Sequence, residues 1–435
     1  MHELCRDVKV KSNSNGNMSQ ALTPRRELWL LITLAGIQFT HILDFMIMMP
    51  LGPQFTQLFA ITDAQFGLLV SAYTLAGGLS GLLASAYIDR FGRKRLLLTL
   101  YALFGLATLA CGLAPTYLTL MMARVAAGVF GGVLAALSQT IVGDVIPFER
   151  RGRAMSIVMT SFSVATVAGV PAGLFLATHL GWHSAFFGIA LLCALFLGFA
   201  AWSLPLLNTH VNATNDSSAM QRIRVVLADG NHLRAFAFSS LMMFAGFTVI
   251  PYITINLQAN VGMLPDQVPY VYLCGGIGTL LTARWIGRLT DLRGKLQTFR
   301  IFATAVVFPL LAMTLMPRVP VPVALIVSTL FFMCMSGRMI PGMAIITSAA
   351  NPALRGTFMT LNAAVQSAAM GLAALIGGSL ISRDAQGLLQ NYWVAGLVGG
   401  CASLLAIHVS SGLKMHSIAN PAGSSPAPQA VAGKA

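Results

Sequence analysis

Long apolar runs separated by short polar segments fill the chain from residue 28 to residue 411. Twelve such runs fall near 28–50, 64–87, 96–115, 117–144, 153–178, 184–204, 235–257, 268–287, 299–316, 321–347, 356–382 and 389–411. At 1.5 Å of rise per residue, each reaches or approaches the ~30 Å of a bilayer's hydrocarbon core. The runs are continuous and lack a period-two alternation, so helices are predicted and membrane strands are not. The pattern predicts an all-α membrane protein of twelve spans.

Composition sharpens this picture. Hydrophobic residues make up 56% of the 435 residues and charged residues 9%, with a mean hydropathy of +0.75. Soluble domains carry about 25% charge. A disordered chain, a coiled coil and a secreted disulfide scaffold are excluded. The six cysteines are Cys5, Cys111, Cys193, Cys274, Cys334 and Cys401, with no Cys-x-x-Cys among them. All but Cys5 lie inside apolar runs, which reads as small packing residues; no metal and no cofactor is expected.

The net charge of +14 is a matter of topology. With residues 1–27 on one side and every run crossing, that side collects 22 of the 27 Lys and Arg. The opposite loops hold only Arg318 and Arg383, and the spans hold Arg124, Arg284 and Arg338. The positive-inside rule then puts both termini in the cytoplasm and removes the need for a nucleic-acid partner. Omitting one span would scramble the sorting, so the bias also supports the count. Residues 1–27 read as a tail without a cleavable signal, in which Met18 is an alternative start. Residues 205–233 read as a cytoplasmic linker between a half at 28–204 and a half at 234–411. The Ala/Pro/Gly/Ser-rich 412–435 reads as a disordered tail.

The halves repeat. Asp89-Arg-Phe-Gly-Arg-Lys follows the second run and Asp291-Leu-Arg-Gly-Lys the eighth, 202 residues later. Pro147 with Arg151-Gly152, and Pro352 with Arg355-Gly356, repeat at nearly the same offset. Two motifs at one spacing, both on the same side, indicate parallel duplication of a six-helix unit.

On these residues the chain resembles the major facilitator superfamily, whose signature loop joins spans 2 and 3. Asp89, Arg90, Gly92, Arg93 and Lys94 match it, with Ser85 in place of its leading glycine. The second copy keeps Gly287, Asp291, Gly294 and Lys295. Arg124-Val-Ala-Ala-Gly128 resembles a span 4 motif of proton-coupled members. Gly169-Val-Pro171-Ala-Gly173 resembles the antiporter motif of span 5, with Val170 inserted before the proline and His183 replacing an arginine after Gly181-Trp182. The resemblance implies the twelve-span drug:proton antiporter and sugar-efflux branch, in two six-helix halves, in a cytoplasmic (inner) membrane. It implies a monomer whose partners are protons, lipid and a small-molecule substrate. It also implies that Asp89, Arg93 and Asp144 form a cytoplasmic clamp. Because no acid corresponds to Asp144 at the end of span 10, the second clamp is expected to be weaker.

The charges at membrane depth carry the chemistry. Asp44 is the only acid well inside a run, and such charge is costly unless it has a function. It lies ~9 Å below the outer end of span 1, and Arg124 ~10 Å below the outer end of span 4. The two share a depth and can pair. Gln38, His41 and Asp44 follow each other at three-residue spacing, near one helical face. His41 with Asp44 can carry a proton; a histidine merely packed on a backbone carbonyl, and an Asp44 serving only to pair Arg124, are the plainer readings. Arg338, in the inner half of span 10 before Pro341, could hold an anionic substrate group, pair with a carboxylate, or tie the proline kink to a carbonyl. Arg284 reads as a snorkelling cation. Gln139, Tyr252, Asn256, Asn362 and Gln366 are further candidates for the cavity, or else helix–helix ties. Gly128 with Gly132 and Gly169 with Gly173 allow close helix approach.

The expected activity is secondary transport, with proton-coupled export of a drug, sugar or metabolite ahead of proton-coupled uptake. No His-Glu-x-x-His, Gly-x-Ser-x-Gly or Walker loop occurs, so neither an enzyme nor an ATP pump is expected. A membrane sensor on a transporter scaffold is a further alternative.

Overall fold

The computed structural model describes residues 24–87, 91–146, 148–204, 217–351 and 354–415. The first half begins with α1 (Pro24–Ile47), the short α2 (Gly52–Leu58), α3 (Asp63–Tyr87), α4 (Arg93–Gly112) and α5 (Tyr117–Val145). It continues with α6 (Phe148–Val164), α7 (Val170–Leu180) and α8 (His183–Ser203). After α9 (Ser217–Ala228), the second half has α10 (Gly230–Phe247), α11 (Ile253–Asn256), α12 (Val268–Arg293), α13 (Lys295–Ala305) and α14 (Val307–Thr314). It ends with α15 (Val321–Ala349), α16 (Arg355–Leu380), the two-residue strands β1 (Ser382–Arg383) and β2 (Leu389–Gln390), and α17 (Tyr392–Ser411).

Eleven of the helical segments are long and apolar enough to cross a membrane. The remaining crossing, eighth along the chain, is α12, whose 26 residues reach ~39 Å. It is less apolar because it carries Arg284, Arg288 and Asp291. Exposed Leu106, Leu191, Leu281, Phe308 and Ile326 cover the outside of the bundle, which suits a hydrocarbon solvent and not water.

Several boundaries differ from the sequence reading, for local reasons. α1 stops at Ile47, and α2 occupies what was expected to be loop. The fifth crossing starts at Phe148 and joins α6 to α7 through a π-helical turn, Ala165–Gly169. That wider turn makes room for Pro171, which has no N–H to offer the carbonyls of the preceding turn. The seventh crossing starts at Gly230, inside the expected linker, and runs to Val261. It is interrupted at Pro251 and closed by Gly262 at φ +82°. Strands were not expected, yet a hairpin forms between the last two crossings. Asp384 accepts the N–H groups of Gln386 and Leu388, and Gly387 takes φ +80° to complete its turn.

The end of the bundle that holds Pro24 and Ser411 is termed the tail end, and the opposite one the far end. At the tail end Arg150 pairs with Glu27 at 3.0 Å, and Asn231 bonds to carbonyls of Ala349 and Lys414. Lys94 caps α8 by donating to the carbonyls of Ala201 and Leu204, at 2.9 and 2.5 Å.

The halves meet along two seams. α3 runs antiparallel to α16, and α12 packs on α7 and its π-turn. These pair the second crossing with the eleventh and the eighth with the fifth, and the sequence repeat exchanges one pair for the other. Small residues allow the approach: a side chain at Gly78 would meet Ser367, and one at Gly276 would meet Val167 at 3.0 Å.

Candidate functional site

Arg124 sits two turns into α5, and Gly128 follows it one turn later. A Cβ at Gly128 would stand 3.0 Å from the Tyr73 Cα and closer still to its carbonyl, so only glycine lets α3 approach α5 here. That approach lays the Tyr73 ring over Arg124, with the guanidinium carbon 4.1 Å from the ring centroid. On the other side, Arg124 Nη1 donates to Asp44 Oδ2 at 2.8 Å and to the Asp44 carbonyl at 3.2 Å. Both side chains of the pair are 0% exposed. The depth match read from the sequence is therefore a contact. The pair is only partly satisfied: Asp44 Oδ1 and Arg124 Nε and Nη2 have no protein partner. A buried ion pair with spare valences can change its bonding when either group is neutralised.

His41 lies one turn back on α1. Its ring packs on Gly131, 6.1 Å from the Tyr73 ring and 5.9 Å from the Phe104 ring. No direct hydrogen bond joins it to Asp44, and its Nδ1 has no protein partner. The Tyr73 hydroxyl stands 3.5 Å from the His41 carbonyl. Tyr73 thus touches both Arg124 and His41, a juxtaposition that was not legible in the sequence. From Tyr73 the aromatic contacts continue to Phe45 at 5.5 Å and across to Phe247 of α10 at 5.9 Å.

In the second half Arg338 is buried, 1% exposed, on α15. It makes no salt bridge or hydrogen bond among the described residues, and Nε and Nη1 are buried without a protein acceptor. The helix runs on through Pro341, so Arg338 does not tie a broken turn to a carbonyl.

The other sequence candidates divide. Tyr252, Asn256 and Asn362 are buried ties between helices. Tyr252 donates to the Ala374 carbonyl at 2.5 Å, Asn256 to the Met313 carbonyl at 3.1 Å, and Asn362 accepts from Ser239 at 2.7 Å. Gln366 is half-buried with its amide 3.8 Å from the Met343 sulfur. Gln38 is half-buried on α1, and Gln139 is exposed. Gly169 meets Leu43 and Phe39, and Gly173 meets Ile47, which seats the antiporter-like segment against α1 beside the ion pair.

Of the expected tail-side clamp, Asp89 and Arg90 lie outside the described residues, and Asp144 is placed only by its backbone at the end of α5. Arg93 is buried. Gly92 has φ −61°, open to any residue, whereas its counterpart Gly294 has φ +83°, which favours glycine. Asp291 is exposed without an ion pair among the described residues, and Lys295 donates to Ser348 at 2.6 Å. A side chain at Gly287 would meet open space. Arg284 is exposed.

At the far end Asp63, which begins α3, holds Arg383 of β1 by two bonds of 2.7 and 2.8 Å. This link between the halves was missed. Its signal was available: Arg383 is one of only two basic residues on the basic-poor side.

Comparison with known proteins agrees with this architecture. A family model described as Major Facilitator Superfamily matches residues 34–374. The MFS-type transporter YtbD of Bacillus subtilis (strain 168) is 25% identical over 337 residues, covering 76% of this chain and 83% of that protein. A chloramphenicol resistance protein of Streptomyces lividans is 27% identical over 369 residues, covering 82% and 90%. The crystal structure of a D-xylose-proton symporter superposes with a TM-score of 0.72 at 17% identity, covering 89% of this chain and 97% of that one.

Proposed function

The chain belongs to the major facilitator superfamily and is a multi-pass membrane transporter; from that premise we propose that it exports a small molecule in exchange for protons by alternating access. The observation that carries this reading is the Asp44–Arg124 pair, fully buried at 2.8 Å with unsatisfied valences on both partners. A proton added to Asp44 cancels its charge and removes the electrostatic hold on Arg124. Breaking such a pair in place costs ~3–5 kcal/mol, enough to bias two packings of the halves. His41, half-buried in the same aromatic cage, is the relay that brings the proton.

The tail end is the cytoplasmic one in this reading, by the Lys and Arg bias, and the membrane is a bacterial inner membrane. Gly169, Pro171 and Gly173 hold α7 against α1 and keep water from the pair. Asp89, Arg90, Arg93 and Asp144 close the cytoplasmic side in the opposite state. The Streptomyces relative's name, a chloramphenicol resistance protein, supports export over uptake and a drug-sized cargo.

The test uses purified protein in liposomes that contain a pH-sensitive dye. Under an imposed pH gradient, a panel of drugs, sugars and amino-acid-like metabolites is added to wild type and to Asp44→Asn. A substrate-triggered proton flux absent from the variant is expected, with protons moving opposite to the substrate. Flux with the substrate would make the protein a symporter. Undiminished flux in Asp44→Asn would remove Asp44 from the mechanism.

A further inference from the structure

Every acid among the described residues except Asp44 lies near a helix end or in a connection, and Asp44 is already taken by Arg124. The bundle interior therefore holds one guanidinium, that of Arg338, with no protein anion available to it. An isolated charge in a low-dielectric interior is costly, and guanidinium cannot shed its proton at physiological pH. Such a group persists where a ligand supplies the missing anion.

Arg338 points to a definite place. A Cβ built on Gly246 of α10 would stand 3.3 Å from Arg338 Nη2 and closer still to the Met335 methyl. Both side chains converge on this glycine, at the α10–α15 contact. The next residue, Phe247, stacks on Phe45 of the other half at 5.9 Å, and Phe45 stacks on the Tyr73 that covers Arg124. A fixed cation thus shares its glycine with a flexible thioether, one residue along α10 from an aromatic pair that spans the halves.

We infer that the substrate is an amphipathic carboxylate, anchored by its two oxygens on Arg338 with its apolar body against Met335, Phe247 and Phe45. This deepens the transport reading and rests on it for the word substrate. The guanidinium fork matches a carboxylate bidentately. Methionine and aromatic surfaces accept apolar bodies of varied shape. Because Phe45 and Phe247 belong to different halves, a bound body touches both and senses their relative position.

The experiment is a calorimetric titration of the purified full chain in lipid nanodiscs at neutral pH. The probes are 4-phenylbutyrate and its uncharged amide, which differ only in the head group. The carboxylate is expected to bind at least tenfold more tightly than the amide. Arg338→Gln should bring the carboxylate down to the level of the amide, whereas Arg338→Lys should retain part of the preference. Equal affinities of the two probes for wild type, no binding of the carboxylate, or an undiminished carboxylate affinity in Arg338→Gln would each overturn the assignment. If Arg338→Gln fails to fold, the wild-type comparison still decides. No proton gradient is involved, so head-group selectivity that survives a failed proton-flux assay would support this site while refuting the coupling mechanism.

Discussion

Asp63 and Arg383 lie 320 residues apart and form a two-bond ion pair, at 2.7 and 2.8 Å, that fastens the far ends of the two halves together. Asp63 is buried at the N-terminus of α3, where the helix dipole favours a carboxylate. Arg383 is held by the hairpin and is about one-third exposed. By accepting two hydrogen bonds from Arg383, Asp63 holds the pKa of that guanidinium above the usual arginine range. A state in which the far end opens must break this pair.

Asp63→Asn or Arg383→Gln should therefore shift the resting equilibrium toward far-side opening. A pair with one partner reaching solvent contributes up to ~1 kcal/mol, or about a fivefold change in population. Labelling of a cysteine placed at the far-end seam, such as Ala374→Cys, should accelerate by about that factor. The charge-exchanged double variant Asp63→Arg with Arg383→Asp should restore the slower rate. Equal labelling in all proteins would make the pair a surface ornament.

The Asp44–Arg124 pair should behave as one unit in stability. Each single substitution, Asp44→Asn or Arg124→Gln, strands a buried polar partner and should cost ~3–5 kcal/mol. The double variant should cost clearly less than the two singles together. A double-mutant cycle read by thermal unfolding in detergent checks this, and additive losses would show that the groups do not share their burial.

Gly128 is the residue whose size is least negotiable near the site. Gly128→Ala pushes a methyl into the backbone of Tyr73 and should destabilise by ~1–3 kcal/mol. It should also reduce transport, because Tyr73 must move off Arg124. The contrasting Gly198→Ala places its methyl in open space within α8 and should be neutral or stabilising by up to ~1 kcal/mol. Matching melting temperatures for the two variants would remove the steric argument.

The two copies of the span 2–3 motif should not be equivalent. Asp291 is exposed and unpaired among the described residues, and Lys295 is engaged by Ser348. Asp291→Asn should leave the transport rate within about twofold of wild type, an exposed charge contributing ~0–1 kcal/mol. Asp89→Asn is expected to slow switching more. Equal losses would show that both copies act as clamps.

Residue pattern alone determined the class of this protein and most of its geometry along the chain. A bilayer demands unbroken apolar runs of fixed length, so the twelve crossings are written in hydropathy. The sorting of Lys and Arg and the 202-residue repeat follow from the same local rules. Even the Asp44–Arg124 contact was accessible, because two charges cannot be left at one depth in hydrocarbon without a partner. Other features belong to the tertiary structure. The cover of Tyr73 over Arg124, the Phe45–Phe247 stack and the Asp63–Arg383 pair join residues that no periodicity relates. Polar candidates such as Asn362 and Tyr252 could be cavity groups or ties between helices by sequence, and in the structure they are ties. Their partners, Ser239 and the Ala374 carbonyl, depend on how each helix is rotated about its axis. Depth is set by position in the run, whereas rotation is set by packing, and it is rotation that turned Arg124 to Asp44 and Arg338 to Gly246.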